Sequence, residues 1–168
     1  MDYTITKLDL SKKYLTELPD LSNYPNLINL NISGNKITKL NNLPQSLQIL
    51  ICSYNKITQL DNLPQSLIEL DCMINKIKKL DNLPQSLQIL NCSYNKLTRL
   101  DNLPQLVQEL DCNKNQITEL NNLPHSLQIL NCSYNKLTKI DNLPQSLQVL
   151  ICSYNYINKL DNFTTIFI

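Results

Sequence analysis

The chain has 168 residues, enough for one domain with a real core, and 42% of them are hydrophobic. Fifteen basic side chains against fourteen acidic ones leave a formal net charge of +1, which argues against a general nucleic-acid or membrane-surface binder. Six cysteines would mark a disulfide scaffold in a secreted chain, but Met1-Asp2-Tyr3-Thr4-Ile5 opens no signal sequence and no apolar run approaches a membrane span. The expectation is a single intracellular domain over 1–168.

In chain order, the first unit begins near Ile5 and carries Leu8, Leu10, Leu15, Leu18-Pro19 and Leu21. It is two residues longer than the units that follow, and Lys13 stands where they have Asn. Seven further units begin near Leu27, Leu47, Leu67, Leu87, Val107, Leu127 and Leu147, twenty residues apart each time. From the third unit on, Cys52, Cys72, Cys92, Cys112, Cys132 and Cys152 occupy one position, which Leu10 and Ile32 fill in the first two. The unit reads L-x-x-L-x-C-x-x-N-x-I/L-x-x-L-x-x-L-P-x-x. Its L-x-C stretch alternates and predicts a short strand with one buried face. The other apolar positions recur every three residues, a poor match to a long helix. A proline after Leu in nearly every unit favours an extended, polyproline or 3-10 return path. No such coil buries its own apolar face, so eight stacked coils must share one core in a mainly-β, α/β-type repeat solenoid, roughly 35–40 Å long. The chain closes on Phe163-Thr164-Thr165-Ile166-Phe167-Ile168, an apolar end that reads as a cap or an association surface.

These columns, as in LPQSLQILNCSYNKLTRLDN from Leu83 to Asn102, resemble leucine-rich repeats over nearly the whole chain. The short unit is similar to the repeats of bacterial type-III effectors. The Asn, Ile, Lys and Tyr bias is similar to repeat proteins of giant amoeba-infecting viruses. The resemblance implies a curved, right-handed stack with a parallel sheet on its concave face, used to recognise proteins. It also implies one alternative, an adaptor or substrate-recognition module for ubiquitin transfer, since effector relatives often carry a ligase domain for which no residues remain here. A self-associating structural or particle protein is a second alternative.

The column Asn35, Asn55, Asn75, Asn95, Asn115, Asn135 and Asn155 is expected to form a ladder, each amide satisfying backbone groups of adjoining turns. One cysteine per twenty residues makes a line rather than a tetrahedral metal site, and it lacks the C-x-x-C of redox centres. A file of small buried hydrophobes explains it better. His125 is the only histidine and Gly34 the only glycine, so neither a Ser-His or Cys-His pair nor a phosphate loop can be assembled. Glu69 with Asp71 and Glu109 with Asp111 lie about 10 Å apart across two coils, far for acid–base work. No catalytic residue, metal site or cofactor is expected. Lys36, Lys56, Lys76, Lys96 and Lys136 make one basic file, and Lys39, Lys79, Arg99, Lys139 and Lys159 a second. Asp61, Asp81, Asp101, Asp141 and Asp161 run beside the second file and screen it.

The expected partner is therefore a protein, a host protein if the viral likeness holds, with a homodimer through the concave face or the open ends as a further expectation. No membrane role is expected, and the charge balance speaks against nucleic acid. The surface to read is the outward strand positions Ile49, Ile51, Glu69, Asp71, Ile89, Asn91, Glu109, Asp111, Ile129, Asn131, Val149 and Ile151, continued by Ser53, Ser93 and Ser133. Apolar and acidic rungs alternate with a forty-residue super-repeat, which suits a polypeptide with spaced basic and apolar groups. Tyr54, Tyr94, Tyr134 and Tyr154 precede the ladder asparagines and are candidate rim anchors or shields of the core edge.

Overall fold

The structure is a computed structural model that describes residues 4–158. The apolar segment 163–168 lies outside the described residues. Each of the eight coils forms a three-residue strand centred on the leucine of its L-x-C position and ending one residue before the cysteine or its equivalent: β1 (Lys7–Asp9), β2 (Asn29–Asn31), β3 (Ile49–Ile51), β4 (Glu69–Asp71), β5 (Ile89–Asn91), β6 (Glu109–Asp111), β7 (Ile129–Asn131) and β8 (Val149–Ile151). They pair in sequence order into one parallel sheet, and every step puts a repeat position beside its equivalent: Leu30 faces Leu50, and Leu50 faces Leu70. Register is fixed because slipping by one residue would turn the central leucines out of the core. The ladder continues past the strands, with Cys52 N–H donating to the Asp71 carbonyl at 2.8 Å and Tyr54 N–H to Met73 at 3.0 Å.

Strands this short cannot hold a sheet alone; the rest of each coil supplies the core. Leu47, Leu50, Cys52, Ile57, Leu60 and Leu63 are all buried, and the same six columns recur along the stack as one continuous apolar cluster. No helix is present among the described residues, and none is long and apolar enough to cross a membrane. The return path consists of bends, a left-handed asparagine and a β-turn in each regular coil. Asn42, Asn62, Asn82, Asn102, Asn122 and Asn142 sit at φ 54–56°, where Asn is among the side chains that tolerate a left-handed backbone. The turn is closed by the N–H of Leu47 on the Pro44 carbonyl at 3.2 Å, and equivalently in each later coil.

Two side-chain ladders then stitch coil to coil. In the first, Asn55 Oδ1 accepts the Ile37 N–H at 3.0 Å, while its Nδ2 reaches the carbonyls of Ile32, Cys52 and Ser53 at 2.9–3.2 Å. Every ladder asparagine from Asn35 to Asn155 bridges its own coil and the preceding one in this way. The second ladder escapes a reading of the sequence. Ser46 Oγ lies 2.9 and 2.8 Å from the Pro25 and Leu27 carbonyls of the coil before, and Ser66, Ser86, Ser126 and Ser146 repeat that bifurcated contact. Leu106 interrupts it, 52% exposed where its neighbours carry a hydroxyl.

The sheet face and its tyrosine margin as a candidate binding site

The middle residue of each strand points inward, so the first and third positions make the outer surface of the sheet. The first file reads Ile49, Glu69, Ile89, Glu109, Ile129, Val149, and the third reads Ile51, Asp71, Asn91, Asp111, Asn131, Ile151. The two files do different work. In the third, the Oδ1 of Asp71, Asn91, Asp111 and Asn131 accepts the N–H two residues on at 3.0–3.2 Å, an Asx turn that ends the strand. Asp111 is further engaged by the Asn113 amide at 2.6 Å and the Asn131 amide at 3.3 Å. In the first file, the carboxylates of Glu69 and Glu109 make no hydrogen bond and no ion pair. Ile89 and Ile129 beside them are 37% and 36% exposed. Together these rungs line a groove of about 430 Å³ that holds four carboxylates and no basic side chain.

Ser53, Ser93 and Ser133 do not extend this surface. All three are buried, because the strand ends after its third residue and the chain turns inward at the cysteine instead of continuing its alternation. Ser133 Oγ is buried without a partner, whereas the Ser93 hydroxyl is taken up by Asn91 at 2.7 Å.

The turn is made by the residue before each ladder asparagine, or before Lys13 in the first coil, and it is left-handed in every coil: Lys12, Gly34, Tyr54, Ile74, Tyr94, Lys114, Tyr134 and Tyr154, at φ between 50° and 67°. This column becomes a ridge along one margin of the sheet. Tyr134 and Tyr154 stack at 4.2 Å between centroids, and the Lys114 ammonium sits between Tyr94 and Tyr134, 4.6 and 4.9 Å from their centroids. Hydrogen bonding to Tyr94 pushes the Lys114 pKa up. Tyr54 makes no ring or cation contact.

The cysteine file is enclosed. Cys52, Cys72, Cys92, Cys112 and Cys132 are buried and unpaired, and burial pushes their thiols up, that of Cys132 to about 12. Protonated thiols of this kind are neither nucleophiles nor ligands at neutral pH. Among the described residues no cluster of three His, Cys, Asp or Glu side chains converges as a metal centre.

The chain superposes on solved structures whose architecture decides its type. YopM of Yersinia pestis, described as a leucine-rich effector protein, is 36% identical with a TM-score of 0.87 over 92% of this chain. The functional domain of InlJ from Listeria monocytogenes is 37% identical with a TM-score of 0.84 over 94%. The leucine-rich repeat domain of a Shigella effector is 27% identical with a TM-score of 0.72 over 94%. The protein is a leucine-rich repeat solenoid. The InlJ domain is described as including a cysteine ladder. The chain spans 44% of the YopM structure, 37% of that of InlJ and 62% of the Shigella domain. No family model and no curated protein sequence matches it.

Proposed function

We propose that this leucine-rich repeat solenoid is a non-enzymatic scaffold that holds a partner protein against its sheet face. Leucine-rich repeat solenoids are binding modules, and the single observation that carries the reading here is the state of Glu69 and Glu109. Both carboxylates are left without a hydrogen bond or counter-charge in a groove whose first file otherwise presents isoleucine, beside the Asp and Asn side chains of the third. An unpaired acid rung flanked by apolar rungs matches a segment whose basic side chains are separated by apolar ones. The third-file residues Asp71, Asn91, Asp111 and Asn131 hold the strand ends, so they shape the groove, and Glu69, Glu109, Ile89 and Ile129 carry most of the discrimination.

The test is the pair Glu69→Lys with Glu109→Lys. A partner recovered by affinity capture, identified by mass spectrometry and purified, is expected to bind this variant at least tenfold more weakly. The thermal midpoint should stay within the small shift usual for surface changes, about 0.5 kcal/mol. Unchanged affinity in a variant that melts normally places the binding elsewhere.

A further inference from the structure

The two basic files differ in a way that their sequence spacing conceals. The outer file is paired in part: Arg99 with Asp101, and Lys139 with Asp141 at 2.8 Å. Lys39 and Lys79 meet no carboxylate within ion-pair distance, and Lys159 lies outside the described residues. The inner file, Lys36, Lys56, Lys76, Lys96 and Lys136, meets no carboxylate within ion-pair distance among the described residues. With one cation per coil in every regular coil from the second to the seventh except Gln116, the five span about 24 Å at the strand spacing of a parallel sheet. They run beside the left-handed ridge, two residues from it in each coil, so that Tyr54 neighbours Lys56, Tyr94 neighbours Lys96 and Tyr134 neighbours Lys136. Lys114, inside the ridge, adds a sixth cation to the margin. The net charge of +1 hides this, because the compensating acids lie in the sheet groove and beside the outer file.

We propose that this margin binds single-stranded nucleic acid, a surface separate from the protein-binding groove. A straight file of evenly spaced point charges fits a polymer with one charge per unit, and a purely acidic peptide would leave the adjoining aromatics without a role. The aromatic component is specific. Tyr134 and Tyr154 are stacked on each other and Tyr94 is covered by Lys114, but Tyr54 is 53% exposed without a ring or cation partner, and the coil before it offers only Gly34 at the ridge position. Tyr54 is therefore an open platform for one base beside Lys56, the second cation of the lysine file.

The probe is dye-labelled decauridylate, titrated by anisotropy at several salt concentrations. Tyrosine emission provides a second readout, unobscured because the chain has no tryptophan. Five neutralised phosphates give a slope of log Kobs on log salt of about −3.5, and the triple variant Lys56→Gln, Lys96→Gln, Lys136→Gln lowers its magnitude by about 2. Tyr54→Ala is expected to weaken binding about tenfold while leaving the slope unchanged. All these side chains are exposed, so thermal melts of the variants should match the parent. Decaglutamate and phosphatidylserine vesicles are the controls. Decaglutamate bound as tightly as decauridylate, with Tyr54→Ala silent, overturns the proposal in favour of an acidic peptide. Binding to vesicles alone overturns it in favour of a lipid surface, and so does absence of decauridylate binding at low salt. Each of these outcomes leaves the Glu69 and Glu109 test of the groove untouched.

Discussion

At the residue scale, the left-handed column concentrates the sequence's local conflicts. Asparagine and glycine adopt this conformation at little cost, but Ile74 adopts it at φ 50° with a β-branched side chain. Ile74→Asn should raise stability by about 0.5–1 kcal/mol, read as an increase of a few degrees in the melting midpoint. Leu106 is a second conflict. By the repeat, a hydroxyl there would reach the Gln85 and Leu87 carbonyls as Ser86 reaches Gln65 and Leu67. Leu106→Ser is therefore expected to stabilise by about 1 kcal/mol, and an unchanged urea midpoint would show that water already serves those carbonyls.

At the scale of the coil, the asparagine ladder is the element that makes stacking possible. Asn95 accepts the Ile77 N–H and donates to the carbonyls of Cys72, Cys92 and Ser93 at 2.9–3.1 Å, all buried. Asn95→Leu strands these groups and should cost roughly 3 kcal/mol or more, a fall of about 6–12 °C in the melting midpoint. This ladder was legible in the sequence because one residue type fills one position in every coil after the first and only one kind of environment demands an amide at an otherwise apolar site. The strands were legible for a similar reason, since L-x-C admits a single inward face. The serine ladder was not. Ser46 and its equivalents sit among Gln and Pro, and nothing in a polar surface composition distinguishes a hydroxyl that bridges two coils from one that meets only water. The burial of Ser53 was missed because alternation was carried two residues beyond the end of the strand at Ile51. The ridge was half legible: its tyrosines stood out, but the conformation that unites them with Gly34, Ile74 and Lys114 has no shared side-chain chemistry to reveal it.

At the scale of the whole molecule, the thiol file links stability to pH. Burial raises the folded pKa of every fully buried cysteine, that of Cys132 to about 12, whereas an unfolded thiol ionises near 8.5–9. The folded state therefore holds more protons than the unfolded one between these values. The stabilisation is complete below about pH 8.5 and is lost as pH rises toward 12, at up to about 1.4 kcal/mol per pH unit for each thiol. Urea midpoints at pH 7.5, 9 and 10 should fall in that order. The double variant Cys92→Val, Cys112→Val should show a shallower decline, and a flat profile for the parent would mean that the thiols are hydrated.

The gap in the serine ladder also has a mechanical meaning. In a stack where each coil touches only its neighbours, rupture begins at the weakest joint rather than spreading through the whole body. Among the joints from the coil starting at Leu27 onward, the one between the coils starting at Leu87 and Val107 lacks its hydroxyl clasp, with Leu106 in its place. Pulled from its ends, the solenoid would part there first, into an N-terminal piece that keeps Tyr54 and Glu69 and a C-terminal piece that keeps Glu109 and the stacked Tyr134 and Tyr154.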